Sequence, residues 1–322
     1  MLFLALLVLL IFLAAPFLGA DPGAEAWNWV FWQLRVPRVV CALLAGGGLG
    51  VSGLVFQAVF RNPLATPFTL GTASGAALGA TVLLFLAPSA AAFSGFPPAL
   101  LIVSPLVLAA FAGALGTLGM VFAIVRLARQ TSDSDVLLAG VAVSFLYASL
   151  IMLLQYLSDP TQTVRMLRWT MGGLDRSGGW ASVLTLLPWV AAALGILFCH
   201  HRELDLFCMG NELAQARGVA VKRTRTLLLV TASLLVAAVV SVCGPIGFIG
   251  LMVPHIARRI VGARHRLLFP TVFFGGASLL ILCDSFARTI IFPDEIPVGI
   301  LTALLGGPFF LVQLLLRKRS DS

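Results

Sequence analysis

Two arginines separated by two residues, Arg35 and Arg38, precede a long apolar run in the sequence RVPR at 35–38. Guanidinium groups bind carboxylates through strong charge-assisted hydrogen bonds. Positive charge in this place therefore indicates that something acidic meets the two side chains. The alternative is that both arginines snorkel to lipid headgroups.

A possible nucleophile, Ser52, lies in the sequence GVSG at 50–53. Intramembrane serine proteases use this GxSG string, and His255 could supply a base if the fold brought the two side chains together. Close helix packing is the alternative role for Ser52, because four small residues occur easily in a glycine-rich run. Asp284 is the nearest candidate for the buried ionisable group of an ion-coupled secondary transporter. These two functions are the chemically different alternatives for this chain.

Other chemical motifs are missing from the sequence. It contains neither a GxxxxGK[ST] phosphate loop nor an HExxH metal site. Its 5 cysteines lack CxxC spacing, and its 4 histidines lack paired ligand spacing. We therefore expect no catalytic residue, no metal site and no cofactor in this chain, and we expect any energy source to lie on another polypeptide.

The elements that position these residues are apolar. The chain of 322 residues is 60% hydrophobic and only 11% charged, with a mean hydropathy of +1.03. This composition excludes a soluble domain and predicts an all-α polytopic membrane helix bundle. The net charge of +8 does not favour nucleic acid, because the basic residues punctuate apolar runs and do not cluster. We expect a single transmembrane domain over 1–322.

Apolar runs between polar breaks predict about ten spans. They cover 2–19, 36–58, 69–87, 99–125, 136–157, 181–199, 227–245, 246–260, 269–291 and 298–316. The first is interpreted as a span and not as a secretory signal, because no Lys or Arg precedes it. The eighth is short and contains Pro254, which favours a broken helix surrounded by protein.

The distribution of charge predicts the orientation. If the N-terminus is cytoplasmic, fifteen of the 21 Lys and Arg residues fall in inner loops. This excess matches the positive-inside rule and places both termini in the cytoplasm. Gly46 and Gly50, and then Gly71, Gly75 and Gly79, recur at a spacing that predicts close helix packing.

Longer motifs follow one another along the chain. They are RVPR at 35–38, GLGVSGLVFQ at 48–57, RNPLATPFTLG at 61–71, WTMGGL at 169–174, GPIGFIGLMVPHIAR at 244–258, PVGILTA at 297–303 and GGPFF at 306–310. In this order they resemble the FecCD-type permease family of the ABC importers for iron siderophores, haem and cobalamin. The resemblance runs from about residue 33 to about residue 316.

The resemblance implies the fold of a cobalamin-importer permease with ten spans per copy. It implies a homodimer in the lipid of the bacterial inner membrane, with two cytoplasmic ATPase subunits that carry ATP and Mg²⁺ and one periplasmic binding protein. The implied function is to move an iron chelate, either a ferric siderophore or haem, from periplasm to cytoplasm by alternating access. Cobalamin is the alternative substrate within the same family.

The resemblance also assigns roles at the outer mouth. Arg35, Arg38 and Arg288 match arginines that receive acidic residues of the binding protein. Such exposed pairs steer and orient docking more than they add affinity. For Arg288, an intrahelical pair with Asp284 is a compatible alternative.

Four further residues match the cytoplasmic gate of the family. They are Asn62, Leu64, Asp133 and Ser134. Asp133-Ser134 stands where the family can carry a Thr-Ser pair, so solvated loop charges are an equally good account of this position.

The longest polar segment, 200–226, resembles the segment that couples the family to its ATPase. The run ELAQAR at 212–217 favours a helix, and Gly218 can end it. A solvated loop is the alternative. The matching residues are Gly210, Asn211, Glu212, Leu213, Ala214, Arg217 and Gly218.

Overall fold

The structure is a computed structural model that describes residues 8, 10–18, 27–86, 104–127, 133–174, 179–291 and 294–320. Within these ranges all regular structure is helical, which confirms the all-α prediction. Two short 3₁₀ helices cover Ala15–Phe17 and Pro67–Leu70. The longer helices are α1 (Trp27–Val59), α2 (Thr72–Leu86), α3 (Pro105–Leu127), α4 (Asp133–Leu157), α5 (Pro160–Thr170), α6 (Trp180–Cys199), α7 (His201–Met209), α8 (Asn211–Ala216), α9 (Val221–Cys243), α10 (Ile249–Val261), α11 (His265–Thr289) and α12 (Val298–Ser320).

Six described helices, α1, α3, α4, α6, α9 and α11, are long and apolar enough to cross a membrane. Helix α2 and the apolar part of α12, Val298–Gln313, are shorter. Helix α10 has only 13 residues, contains Pro254 and follows Phe248, whose φ is +67°. It is the broken element expected for the eighth span. Residues 2–7, 9 and 19 of the first predicted span, 2–19, and residues 99–103 of the fourth lie outside the described residues.

Helix α1 begins nine residues earlier than the predicted start of its span at residue 36. A π-helical turn at Phe31–Arg35 precedes Pro37, which has no N–H to donate to the preceding turn. The carbonyl oxygen of Trp32 in this turn accepts a hydrogen bond from the Trp180 indole at 2.9 Å. Arg35 and Arg38 therefore lie on the wall of a continuous helix and not at its first turn.

Helix α1 is the centre of the bundle, with 89% of its most apolar window buried. It packs against α6, α9, α10 and α11. At Gly46 an added Cβ would lie 2.4 Å from the carbonyl oxygen of Gly276 on α11, so only glycine permits this approach. Helices α2 and α3 form a second close pair, where Gly75 faces Gly113. The predicted role of these small residues in packing is confirmed.

The bundle has two ends, which we name after the arginines found there. The Arg38 end holds α5, the start of α1 and the end of α11. The Arg258 end holds α7, α8, the end of α1 and the start of α11. About 30 Å of helix α1 separates Arg38 from Gln57, the residue that contacts Arg258.

Candidate functional site

Two carboxylates hold Arg38 at its end of the bundle. Its Nε and Nη2 donate to Oδ1 of Asp284 on α11 at 3.0 and 2.8 Å, and its Nη1 donates to Glu295 at 2.8 Å. The Asp284 side chain is 1% exposed and also pairs with Arg288 at 3.2 Å. Two guanidinium groups thus engage Asp284 in structural pairs, which gives no support to its use as an ion-coupling group.

The other two predicted docking arginines, Arg35 and Arg288, are buried. Arg35 donates to the carbonyl oxygen of Pro16 at 3.2 Å and lies over the Trp27 ring at 5.1 Å. Arg288 donates to the carbonyl oxygens of Leu18 and Ala15 at 3.3 and 3.4 Å. Both side chains therefore fasten the N-terminal 3₁₀ segment to the bundle.

The structure brings the three arginines to one end, and it contains the Asp284–Arg288 pair expected one helical turn apart. Their role in docking stays a prediction. Arg168 of α5 also lies at this end.

A cavity of about 830 Å³ lies beside Arg38. Its polar lining comes from Arg38, Arg168, Asp294 and Glu295, and its apolar lining comes from α5 and from Leu34, Leu174 and Pro297. Arg38 is therefore accessible from the cavity although most of its side chain is covered.

The predicted gate residues lie at the Arg258 end. The side chain of Asn62 accepts a hydrogen bond from the backbone N–H of Leu64 at 2.9 Å, which closes the turn after α1. Leu64 is exposed on this turn, and Ser134 is exposed at the start of α4. The side chain of Asp133 lies outside the described part of the structure.

The chain after this turn contacts α4. A Cβ added to Gly140 of α4 would lie 2.2 Å from the carbonyl oxygen of Thr69, so the 3₁₀ helix Pro67–Leu70 packs directly on α4. This contact connects the first predicted gate turn to the helix that carries the second. The gating role itself stays a prediction.

The predicted coupling segment is helical. Helix α7 ends at Gly210, whose φ is +119°, and α8 follows directly. Gly218, with φ +85°, ends the turn after α8 by donating to the carbonyl oxygen of Gln215 at 2.9 Å. The predicted helix and its glycine stop are confirmed.

Helix α8 has one buried and one exposed face. Ala214 is buried, whereas Glu212, Leu213 and Arg217 are exposed and Asn211 is partly exposed. An exposed leucine between charged side chains suits a protein partner. Coupling to an ATPase stays a prediction.

One contact in this region was missed by sequence reasoning. Oδ1 of Asp205 on α7 accepts hydrogen bonds from the backbone N–H of His265 at 2.9 Å and from its ring Nδ1 at 2.6 Å. It thus caps the first turn of α11 from another helix. No local signal in the sequence could show it, because 60 residues separate the two side chains.

Ser52 has a packing role. Its hydroxyl donates to the carbonyl oxygen of Ala232 on α9 at 3.2 Å, and the ring of His255 packs edge-on against Phe309 at 5.9 Å. Among the contacts of the described residues, none joins Ser52 to His255. The nucleophile and base that a protease needs are therefore not assembled.

A metal site of this chain's own has no support in the described ranges. Within them no group of three or more His, Cys, Asp or Glu side chains could hold a metal ion.

Comparisons with known proteins agree with the motif order. The chain is 39% identical to the hemin transport system permease protein HmuU of Yersinia pestis, over 98% of this chain and 95% of that protein. It is 39% identical to the cobalamin import system permease protein BtuC of Halobacterium salinarum, over 95% of this chain and 78% of that protein.

A solved structure gives the same result. A protein described as a metal-chelate type ABC transporter, in an inward-facing conformation, superposes with a TM-score of 0.83 at 32% identity, covering 97% of each chain. The model of the FecCD transport family matches residues 2–318. The chain belongs to the FecCD transport family and is an integral membrane permease component of an ABC importer of the metal-chelate type.

Proposed function

We propose that this permease imports an iron chelate, either a ferric siderophore or haem, by alternating access. The observation that carries the proposal is the nearly full-length similarity to a hemin permease. The cobalamin permease is equally identical over slightly less of the chain, so cobalamin is the alternative substrate. In either case this chain performs no covalent chemistry.

Two copies of the chain form the pathway in this proposal. Helix α4 is only 17% buried in its most apolar window and exposes Phe145, Met152 and Tyr156, which lipid or a second copy would cover. Beside it lies a cavity of about 540 Å³, lined by apolar side chains and by four hydroxyl-bearing residues, Thr66, Thr69, Ser74 and Ser144. Such a lining suits a bulky ligand without coordinating its metal.

The proposed orientation follows the positive-inside rule. The Arg258 end faces the cytoplasm of a bacterium, with both termini on that side of the inner membrane. Two ATPase subunits, which carry ATP and Mg²⁺, bind α7 and α8. The periplasmic binding protein docks at the Arg38 end, through Arg38 and, once the N-terminal 3₁₀ segment that they hold moves, through Arg35 and Arg288.

The mechanism uses two connections seen at the Arg258 end. ATP-driven movement of α7 passes to α11 through Asp205 and His265, which are joined by two hydrogen bonds. It passes to α1 directly, because α7 packs against that helix. The turn at Asn62–Leu64 and the start of α4, with Asp133 and Ser134, then open together.

Uptake by proteoliposomes tests this function. The permease is reconstituted with its ATPase and binding protein, and ATP-dependent uptake of labelled ferric siderophore, haem and cobalamin is compared. Uptake of an iron chelate or haem is expected, together with its loss when the phosphate-loop lysine of the ATPase is replaced. Uptake of cobalamin alone would favour the alternative substrate, and uptake driven by an ion gradient without ATPase would contradict the proposal.

A further inference from the structure

We propose that the cavity beside Arg38 receives one acidic side chain of the binding protein, and that Glu295 occupies this place until docking displaces it. The inference rests on the proposed docking role of Arg38 and adds the residue that controls access to it.

The two carboxylates on Arg38 differ in how easily they can leave. Asp284 is 1% exposed, takes two hydrogen bonds from the Nε and Nη2 side of the guanidinium and also pairs with Arg288. Glu295 is 39% exposed and accepts a single hydrogen bond, from Nη1 at 2.8 Å. Removing a carboxylate from a buried pair leaves an unpaired charge inside the protein, whereas an exposed pair contributes little. Glu295 is therefore the exchangeable partner and Asp284 the permanent one.

The charges in the network balance before docking. Arg38 and Arg288 are offset by Asp284 and Glu295, so an incoming acidic group meets no net attraction from the four while Glu295 stays in place. When Glu295 turns into water, Nη1 of Arg38 becomes a free donor with positive charge. An incoming carboxylate then replaces one charge-assisted hydrogen bond by another of the same kind.

The space for this exchange is present. Arg38 and Glu295 both line the cavity of about 830 Å³, which exceeds the volume of one aspartate or glutamate side chain. The walls are α5 on one side and residues 294–297 on the other. The cavity thus has room for an acidic side chain of the binding protein beside Arg38.

Displacement of Glu295 also affects the start of α12. The backbone N–H of Ile296 donates to the carbonyl oxygen of Ala287 on α11 at 3.2 Å, and that of Gly299 donates to the carbonyl oxygen of Gly172 at 3.2 Å. Together with the Arg38–Glu295 contact, these bonds hold the segment that leads into α12. Loss of the side-chain contact leaves the two backbone bonds and loosens the segment.

The test compares two neighbouring acids in the complete transporter, reconstituted in nanodiscs with its ATPase. Glu295→Gln and Asp294→Asn each remove one negative charge from the same cavity, but among the described contacts Arg38 pairs with Glu295 and not with Asp294. We measure the Kd of the binding protein by biolayer interferometry. Glu295→Gln is expected to tighten binding about two- to fivefold, and more than Asp294→Asn does. Equal effects of the two variants would overturn the inference.

A double-mutant cycle separates this inference from the docking role itself. In an Arg38→Gln background, Glu295→Gln should no longer tighten binding, whereas any effect of Asp294→Asn should persist. If Arg38→Gln weakens docking but Glu295→Gln never tightens it, only the displacement of Glu295 on docking is wrong. If Arg38→Gln leaves docking unchanged at low salt, the docking role fails. Arg288 still pairs with Asp284 when Arg38 is replaced. This pair is the same in both variants, so it does not affect the comparison of Glu295→Gln with Asp294→Asn.

Discussion

Arg258 on α10 donates a hydrogen bond to the side-chain oxygen of Gln57 on α1. The side-chain amide of Gln57 in turn donates to the carbonyl oxygens of Gly250 and Leu251, at 3.2 and 3.4 Å. One buried glutamine therefore joins the central helix to the broken helix α10. It also gives the Gly250 carbonyl a donor, because Pro254, four residues later, has no N–H.

Replacing this glutamine should destabilise the bundle. Gln57→Leu leaves Arg258 and the two carbonyl oxygens without this partner. The free energy of unfolding is therefore expected to fall by about 1–3 kcal/mol. Thermal unfolding of the purified permease in detergent measures the effect. Ser278→Ala is the control, because Ser278 is partly exposed and its hydroxyl donates to the Phe274 carbonyl oxygen within its own helix. An unchanged Tm for Gln57→Leu would contradict the assigned role.

The contact between Gly53 and Gly250 should tolerate no side chain. A Cβ added to Gly53 would lie 1.9 Å from the carbonyl oxygen of Gly250, so Gly53→Ala must push α10 away from α1. We expect the free energy of unfolding to fall by about 1–3 kcal/mol and the protein to elute less uniformly in size-exclusion chromatography. Gly195→Ala on α6 is the matched control, since nothing lies within 4 Å of its added Cβ. Identical elution profiles would show that α10 is not held at this distance.

The contact of Asp205 with His265 should carry movement from α7 to α11. Asp205→Ala removes a cap worth about 0.5–2 kcal/mol and the tether between the two helices. We expect faster hydrogen exchange at the start of α11 and weaker stimulation of the partner ATPase by the binding protein. Glu203→Ala, on the same helix and with the same change of charge, should leave hydrogen exchange at the start of α11 unchanged. Full stimulation in Asp205→Ala would show that movement does not pass through this contact.

Helix α5 should lose its first turn in acid. Hydrogen bonds from the Thr161 hydroxyl and the Gln162 backbone N–H hold the pKa of the Asp159 carboxyl below its ordinary value of 3.8. Because the folded pKa is the lower one, ionised Asp159 stabilises α5 above pH 3.8, and this contribution disappears as the pH falls through the folded pKa.

Hydrogen exchange of residues 160–170, corrected for the intrinsic rate, measures this effect. The wild type should exchange faster at pH 3 than at pH 6, and Asp159→Asn should remove the difference. The same pH dependence in both proteins would assign the effect to another group.

Several elements of the site could be predicted because their signals are local. The run at 212–217 is made of strong helix formers followed by glycine, and it forms α8 with Gly218 at its stop. Gly46 and Gly75 were predicted as packing positions because each belongs to a run of glycines four residues apart, a spacing that puts them on one face of a helix. The start of α1 was predicted nine residues too late, because the spans were bounded at polar residues and Arg35 is such a break, although the helix continues through it from Trp27.

The pairs that define the two ends could not be predicted. Arg38 and Asp284 are 246 residues apart, and Gln57 and Arg258 are 201 residues apart. Whether such residues meet depends on how far each helix is rotated and shifted along its neighbours. That arrangement comes from backbone contacts such as Gly46 with Gly276, which no periodicity in one segment reveals.

By itself, the sequence determined that this protein is a membrane bundle of FecCD type. Apolar composition, span length and motif order are all visible in the linear sequence and do not depend on which residues meet in the fold. Only the tertiary structure decided that the predicted docking arginines are already paired inside the protein and that α7 is tied to α11. The physical reason is that a buried charge must find its partner in space, and the close packing of helices at glycine determines which partner is within reach.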